Sequence, residues 1–470
     1  MGGARTALFN WLFVRHHGGR FILRIEDTDR KRYQSDSLDD LMAGLRWLGL
    51  DWDEGPEVGG PCGPYFQSER LAFYQEYAGQ LLSEGLAYRC YCSPERLAQV
   101  RKERQARKES GGYDRHCRQL TAKQQQQYEA QGITPVVRFK TPVEGTTQFH
   151  DKIRGNIVVQ NHTLDDMVLL KSDGFPTYHL ANIVDDHLMG ITHVLRADEW
   201  LPSVPRHVLL YEALGWSPPV FAHLPIILDP SGKGKMSKRK KQVGHRELYV
   251  HLRDFRAAGY LPAALFNYLA LLGWGYDDRT EIFTRQELVD SFDLDHVKPS
   301  PASFSYDKLD WMNGLYVRSL APDELAERLM PVFQDAGLPA DRETLRRLAP
   351  LIQERIKRLP DAIPLADFVF LPKVHPSRKD LLGKQSPEQT RHLLDLAYQA
   401  LAARPSFDEA AIEQALRGLL EERSLKPNVL FAPIRVAVTG KKVSPPLFGT
   451  LSVLGQERVL HRLQAALSLV

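Results

Sequence analysis

The sequence is poor in cysteine and in net charge, and it lacks long apolar runs. Four cysteines in 470 residues are too few for a disulfide scaffold and are typical of a reducing cytoplasm. A net charge of only +3 excludes a field over the whole molecule that would attract nucleic acid, so any RNA contact must come from local basic patches. No apolar run is long enough to cross a bilayer. We therefore expect a cytoplasmic protein of several globular domains.

The densest basic patch lies at residues 232–241, where six cations accompany two glycines and no acid. A turn at 229–231 separates this patch from a strand predicted over 221–228. Glycine lets the backbone approach a polyanion closely, and lysine ammonium groups can neutralise charge that develops on a phosphate. The pattern predicts a phosphate-binding loop, although a solvated basic loop or a localisation signal would have the same composition.

A second candidate is Glu26, which follows a strand predicted over residues 20–25. In an open α/β sheet, ligands bind beyond the carboxyl ends of the strands, and a carboxylate there can bind an ammonium group. The neighbouring acids could instead begin a helix, with Thr28 or Asp29 as its N-cap. That alternative explains Asp29 but not Glu26, so Glu26 is predicted to face a binding cleft.

Further polar candidates follow in the middle of the chain. Tyr178 and Asn182 are four residues apart, which makes them neighbours on one face of a predicted helix. Arg196 follows a strand predicted over 191–195, and its guanidinium can form a forked contact with a carboxylate. Its alternative is a salt bridge to Asp198 or Glu199. The three side chains together predict a site for a small polar substrate.

The cysteines are concentrated in a charged segment. Cys90 and Cys92 are one residue apart, and Cys117 follows after twenty-four intervening residues. Such spacing suggests a zinc knuckle, whereas the alternative is a set of buried cysteines without metal, because a structural zinc site needs four good ligands.

Four motifs carry a resemblance to a known family. The Lys-Met-Ser-Lys-Arg order at 235–239 resembles the ATP-binding KMSKS-type loop of class I aminoacyl-tRNA synthetases. The runs FILRIEDTDR at 21–30, PTYHLANIVDDH at 176–187 and FSYDKLDWMNG at 304–314 resemble glutamyl-tRNA synthetase of the bacterial type, in order and spacing. The resemblance spans nearly the whole chain. It implies an α/β Rossmann-type catalytic domain with an α/β insertion, followed by all-helical C-terminal anticodon-binding domains.

The resemblance also implies a division of the chain. Its five parts are a first Rossmann part at 1–75, an acceptor-binding insertion at 76–165, a second Rossmann part at 166–230, the basic loop with a stem-contact region at 231–313, and a helical anticodon-binding region at 314–470. A relative that glutamylates a tRNA base lacks the anticodon-binding half, and glutaminyl-tRNA synthetase has a β-barrel tail. The helical pattern of the last part disfavours both.

The activity implied is ATP-dependent attachment of L-glutamate to tRNA(Glu) through a glutamyl-adenylate, with ATP and Mg²⁺ as substrate and no membrane partner. We expect a monomer. The residues implied for glutamate binding are Glu26, Tyr178, Asn182 and Arg196. Those implied for ATP binding are Gly2, Glu199, Leu228, Lys235, Met236, Ser237, Lys238 and Arg239, of which Lys235 and Lys238 are the catalytic pair. Those implied for tRNA binding are Asp29 and Arg355; the alternative for Arg355 is an ion pair with Glu354 or a neighbour.

The sequence departs from the family pattern in two places. Many bacterial members have Cys-x-Cys and Cys-x-His in the cysteine-rich segment, whereas Gln119 stands at the final position here, which weakens the expectation of zinc at Cys90, Cys92 and Cys117. Family members also begin with a strand, a Pro-Ser-Pro-Thr-Gly-type loop and His-x-Gly-Gly, but Met1 stands directly before Gly2. We therefore expect a truncated or misassigned start and, as the alternative function, a catalytically impaired tRNA-binding protein.

Overall fold

The computed structural model describes residues 1–28, 35–109, 112–236, 242–243, 246–277 and 279–470. The chain forms two compact units. The first comprises Met1–Arg253 and Phe266–Ser305, and the second comprises Asp254–Leu265 and Tyr306–Val470. The finer division into five parts stays a prediction.

The described chain is mainly helical. Its α-helices are α1 (Gly2–His16), α2 (Ser35–Leu48), α3 (Leu71–Ser83), α4 (Pro94–Ala106), α5 (Ala122–Ala130), α6 (Tyr178–Leu188), α7 (Val204–Ala213), α8 (Leu252–Ala257), α9 (Pro262–Ala270), α10 (Arg285–Ser291), α11 (Tyr306–Ser319), α12 (Pro322–Asp335), α13 (Arg342–Ile352), α14 (Ala362–Ala366), α15 (Arg378–Leu382), α16 (Pro387–Ala402), α17 (Glu409–Glu422), α18 (Pro427–Thr439), α19 (Leu447–Leu454) and α20 (Gln456–Leu467). None of these helices combines the length and the apolar character that a bilayer span requires.

The described strands are short. They are β1 (Ala87–Cys90), β2 (Val136–Phe139), β3 (Thr146–Asp151), β4 (Gly155–Gln160), β5 (Val168–Leu170), β6 (His193–Ala197), β7 (Val220–Leu224), β8 (Ile227–Leu228), β9 (Gln242–Val243), β10 (Arg246–Glu247) and β11 (Ala302–Ser303). A four-stranded sheet in the first unit has the order β4-β3-β7-β6, and a three-stranded antiparallel sheet has the order β1-β2-β5.

The four-stranded sheet sets the position of the site residues. β6 and β7 are parallel, and their register places Arg196 opposite His223. β3 pairs parallel with β7 through Asp151 and Phe221, and it pairs antiparallel with β4. β7 therefore lies between β3 and β6, and this register brings Asp151 and Arg196 close to His223 from its two sides.

Buried helices complete the first unit. Leu8, Phe9 and Leu12 have no exposed surface, so the first helix, α1, is buried along this face. Two predicted strands differ from the observed ones. Among the described residues, 20–25 form only isolated parallel β-bridges, at Ile22 and Ile25, and no continuous strand. The strand predicted over 221–228 is split into β7 and β8 at Pro225, because proline has no N–H for the ladder.

Within the described part of the second unit, every regular element is a helix. Leucine, isoleucine, valine, alanine and phenylalanine side chains from α11–α20 and the segments between them form one continuous core. The amphipathic periodicity of this part is the cause, since each helix buries one apolar face against its neighbours.

Candidate active site

The four residues predicted to bind an amino acid line one cavity of about 330 Å³ in the first unit. Glu26 follows the extended segment 20–25, Tyr178 and Asn182 lie on α6, and Arg196 lies on β6. The cavity therefore presents a carboxylate, a phenol, an amide and a guanidinium. These groups suit a small zwitterion that carries an ammonium group and carboxylates.

One side of the cavity is acidic. Arg24 Nη1 lies 2.9 Å from Asp186 Oδ1, and its Nη2 lies 3.4 Å from Glu26 Oε1. The Asn182 amide forms two hydrogen bonds here: its oxygen accepts from Arg24 Nη2 at 3.1 Å, and its nitrogen donates to Asp186 Oδ2 at 3.2 Å. The Glu26 side chain keeps 40% of its surface exposed, whereas Asp186 keeps 7%. Glu26 is thus the accessible acid of this group.

A buried carboxylate supports this acidic side. Asp185 has no exposed surface and accepts hydrogen bonds from Gln67 Nε2 at 2.9 Å, Arg70 Nε at 2.7 Å and the Tyr74 hydroxyl at 2.8 Å. Burial and the Asp185 charge raise the pKa of Tyr74, so its hydroxyl remains a donor. Asp185 and Asp186 therefore pair with the guanidiniums of Arg70 and Arg24. His187 stacks on Trp216 instead, with 3.8 Å between the ring centroids.

The other side of the cavity is organised around Arg196, which is 9% exposed. Its Nη1 donates to the Tyr178 hydroxyl at 3.0 Å, and its Nε donates to His223 Nε2 at 3.1 Å. Trp200 packs on Tyr178 with 4.5 Å between the ring centroids. The alternative of a salt bridge from Arg196 is not observed, since the described ion pairs of Asp198 and Glu199 are with Arg154 and Lys235.

Two histidine contacts continue from Arg196 into the core. His223 Nδ1 lies 2.6 Å from Asp151 Oδ2, and both side chains are fully buried. Burial opposes ionisation of Asp151, but hydrogen bonds from His223 and from the backbone N–H of Arg154 and Ile153 outweigh it and lower the Asp151 pKa.

On the other side of Arg196, His207 Nδ1 lies 3.5 Å from Nη2, and His207 Nε2 lies 2.9 Å from His179 Nδ1. Burial and the Arg196 charge lower the pKa of His207 well below its usual value. Burial and the positive charges of Arg206 and Arg196 lower the pKa of His179 to about 4. Both imidazoles are therefore neutral at pH 7 and can accept hydrogen bonds.

The predicted ATP-binding residues are only partly described. Gly2 is exposed at the start of α1. Lys235 forms an ion pair with Glu199 and pairs with Leu228 in an antiparallel bridge, and Met236 N donates to Ile227 O at 2.9 Å. The structure thus joins Glu199, Leu228 and Lys235. The remaining candidates, Ser237, Lys238 and Arg239, lie outside the described residues.

The predicted tRNA-binding residues lie in different parts of the chain. Asp29 lies outside the described residues. Arg355 Nη1 donates to Ser444 O at 2.7 Å, and Arg435 Nη1 donates to Pro445 O at 3.0 Å. The alternative of an Arg355–Glu354 ion pair is not observed, because the described ion pair of Glu354 is with Arg318. Two guanidiniums from separate helical segments thus meet at one loop.

The three predicted zinc ligands, Cys90, Cys92 and Cys117, converge with their sulfur atoms within 4.8 Å of one another. Cys92 Sγ and Cys117 Sγ are 3.5 Å apart, and the Tyr113 hydroxyl lies 3.3 Å from Cys90 Sγ. Tetrahedral zinc with bonds of about 2.3 Å would place neighbouring sulfur atoms about 3.8 Å apart, so the spacing fits a metal. Gln119 is exposed.

Sequence reasoning missed three residues that organise the cavity. Arg24 lines it and contacts Asp186 and Glu26, whereas Asp151 and His223 lie outside its lining and act on Arg196. A polar histidine inside the apolar strand predicted over 221–228 was a usable signal for His223. Asp151 offered no comparable signal, because its partner lies 72 residues away in sequence.

Comparisons with known proteins agree with this geometry. Residues 1–311 match the catalytic-domain family of class I tRNA synthetases of the E and Q type, and residues 324–467 match an anticodon-binding domain family. A glutamate–tRNA ligase of Dehalococcoides mccartyi is 47% identical, over 100% of this chain and 95% of that protein. The corresponding ligase of Chloroflexus aurantiacus is 49% identical with the same coverage.

A solved structure gives the same result. The glutamate tRNA ligase of Elizabethkingia meningosepticum, in complex with its amino acid, superposes with a TM-score of 0.89 at 36% identity, over 99% of this chain and 96% of that one. The predicted fold class and the predicted family are both confirmed. The chain belongs to the glutamate–tRNA ligase family of class I aminoacyl-tRNA synthetases.

Proposed function

We infer that this chain is a glutamate–tRNA ligase, which activates L-glutamate with ATP and transfers it to tRNA(Glu). The observation that carries this inference is the single cavity lined by Glu26, Tyr178, Asn182 and Arg196. We assign the ammonium group of glutamate to Glu26 and a carboxylate of glutamate to Arg196. Tyr178 and Asn182 complete the polar lining.

The reaction has two steps. A carboxylate oxygen of glutamate attacks the α-phosphorus of ATP, and pyrophosphate leaves with its bridging oxygen. The terminal ribose hydroxyl of tRNA then attacks the carbonyl of the glutamyl-adenylate and displaces AMP. Such transfers depend on positioning and charge neutralisation rather than on a protein nucleophile. Mg²⁺ enters as part of the ATP substrate and neutralises phosphate charge.

The basic loop supplies the remaining positive charge in this proposal. Lys235 and Glu199 are about half exposed, so their ion pair can exchange for contacts with ATP at little cost. Lys235 then becomes available to the phosphates. We assign the same role to Lys238. We propose that Gly2, Leu228, Met236, Ser237 and Arg239 also bind the nucleotide.

For tRNA, we propose Arg355 as the residue that reads an anticodon base and Asp29 as a further contact. The backbone carbonyl of Ser444 orients the Arg355 guanidinium, and Arg435 lies against the same loop. Burial and the Arg355 charge lower the pKa of Arg435, so two mutually repelling cations favour an RNA partner. The monomeric state and the cytoplasmic location stay predictions.

We also propose a structural zinc ion held by Cys90, Cys92 and Cys117, with the Tyr113 oxygen as the fourth group. Metal analysis of the purified chain should give about one zinc per molecule. Cys92→Ala and Tyr113→Phe should lower that ratio, and Cys62→Ala, which changes the one cysteine outside the cluster, should not. A wild-type chain without zinc, prepared in zinc-containing medium, would contradict the proposal.

The proposed function is tested by ATP–pyrophosphate exchange with the 470-residue chain, in the presence of tRNA(Glu). Exchange should depend on glutamate and should not occur with glutamine or aspartate. A chain that binds tRNA(Glu) without exchange would instead be the impaired tRNA-binding protein. Exchange with glutamine alone would contradict the assignment of glutamate.

A further inference from the structure

We propose that the buried pair Asp151–His223 is a positioning device that fixes the Arg196 guanidinium for the carboxylate of the amino acid. Neither residue is among the described residues that line the cavity, so both act through Arg196. The inference rests on the proposed function, because it concerns how glutamate is held. It adds two positioning residues from β3 and β7 to a site otherwise built from α6, β6 and the segment after residue 25.

The hydrogen-bond partners of His223 determine which of its ring nitrogens carries the proton. A guanidinium can only donate, so His223 Nε2, at 3.1 Å from Arg196 Nε, must accept. The imidazole proton is then on Nδ1, which donates to Asp151 Oδ2 at 2.6 Å. Asp151 Oδ1 is held in turn by the backbone N–H of Ile153 at 3.0 Å and of Arg154 at 2.9 Å. The carboxylate therefore selects the one tautomer of His223 that can accept from Arg196.

The donors of Arg196 can then be counted. Nε–H is directed to His223, one N–H of Nη1 to the Tyr178 hydroxyl, and one N–H of Nη2 toward His207 Nδ1 at 3.5 Å. Within the described residues, three of the five N–H groups are thus directed to protein acceptors, and the other two can bind a ligand. Because the guanidinium is already oriented, carboxylate binding costs little further conformational entropy.

Two substitutions of His223 separate this role from mere packing. His223→Gln places its amide near the Nε2 position and can still accept from Arg196. His223→Asn places its amide near the Nδ1 position, so it keeps the contact with Asp151 and loses the acceptor. We expect the Kd for glutamate to rise about tenfold or more in His223→Asn and by less than about threefold in His223→Gln.

A substitution of Asp151 tests the tautomer. Because Oδ1 accepts backbone N–H groups, the oxygen of an asparagine would take that position and its NH₂ group would face His223 Nδ1. The imidazole proton would then move to Nε2, opposite the Nε–H of Arg196. We expect Asp151→Asn to raise the Kd for glutamate about tenfold or more. A glutamine at position 223 has no tautomer to reverse. Adding Asp151→Asn to His223→Gln should therefore change the Kd for glutamate little further.

The measurement is calorimetric binding of glutamate to the full chain, together with the KM values for glutamate and ATP and the melting temperature. The exposed His150, also on β3, provides the control His150→Gln. Only the KM for glutamate should rise, and it should rise in His223→Asn and not in His223→Gln, whereas a packing defect would weaken glutamate binding in both His223 variants. If His223→Asn does not fold, the comparison of Asp151→Asn with and without His223→Gln decides the question.

Two outcomes are distinguishable. A wild-type chain that does not bind glutamate overturns the proposed function and, with it, this inference. A wild-type chain that binds glutamate, combined with equal Kd values in His223→Asn and His223→Gln, overturns the positioning role alone.

Discussion

Glu26→Gln should weaken glutamate binding by removing the only accessible acid of its cluster. The guanidiniums of Arg24 and Arg70 face the carboxylates of Asp185, Asp186 and Glu26, which leaves one negative charge for the ammonium group of the substrate. A hydrogen bond to a charged group contributes about 1.5–3 kcal/mol, so the Kd should rise about 10- to 150-fold. The scaffold should survive, because Arg24 keeps Asp186 at 2.9 Å.

The assay compares two ligands by calorimetry. Glutarate has both carboxylates of glutamate but no ammonium group, so its affinity should change by less than about threefold in Glu26→Gln. Glu57→Gln, at an exposed acid of the same unit, is the control variant. An equal loss for glutamate and glutarate would refute the reasoning, because it would show that Glu26 supports the cavity without contacting the ammonium group.

Three further predictions concern other groups. Lys235→Ala should slow adenylate formation about 100-fold in rapid-quench kinetics, since one preorganised donor contributes about 3 kcal/mol. Lys233→Ala, in the same loop, is the control. An unchanged rate in Lys235→Ala would contradict the role of Lys235. Arg355→Gln should relax discrimination between tRNAs with glutamate and glutamine anticodons, whereas the control Arg318→Gln should leave the charging ratio unchanged. An unchanged ratio in Arg355→Gln would contradict the role of Arg355. His179→Asn should flatten the pH dependence of the unfolding free energy between pH 6.5 and about 4. In that window the unfolded chain binds the additional proton, so wild-type stability falls as pH falls; equal slopes for both proteins would exclude this cause.

The sequence was most informative where a cavity-lining residue sits inside a contiguous motif. The common location of Glu26, Tyr178 and Arg196 could be predicted, because each follows a strand or lies on a short helix with a recognisable pattern. Their roles in binding stay a prediction. The helical second unit could be predicted as well, since amphipathic periodicity is a local property. The split of the strand over 221–228 was predictable in principle from Pro225, because a proline interrupts the ladder wherever it occurs.

The contacts beneath the sites could not be predicted in the same way. The pairing of β3 with β7 brings Asp151 to His223, and no local pattern in either strand specifies that partner. The Tyr113 hydroxyl beside the cysteines is similar, since a phenol has no characteristic spacing relative to metal ligands. Strand register decides the first contact and the packing of a loop decides the second, and a single sequence does not report which distant segments meet.

Three aspartates without exposed surface, Asp151, Asp166 and Asp185, show why these hidden contacts matter. An unpaired buried carboxylate costs several kcal/mol, so each of the three needs a partner that brings positive charge or N–H donors. Asp151 has His223, Asp185 has Arg70, and Asp166 has Arg118 with its Nε at 2.6 Å. The first two aspartates hold a guanidinium or an imidazole beside the cavity that Glu26 and Arg196 line, and Asp166 also accepts from Tyr88, on the strand that ends at Cys90.

This arrangement has a consequence for mutagenesis. Removing one partner of a buried pair costs about 3–5 kcal/mol, which is a large part of the stability of a domain. Alanine substitutions at these aspartates would therefore unfold the surrounding structure and report nothing about binding. Amide substitutions remove less: Asp151→Asn keeps the shape and reverses which group donates, and His223→Gln keeps the acceptor for Arg196. Only such variants can separate the orientation of a binding side chain from the stability of the fold that carries it.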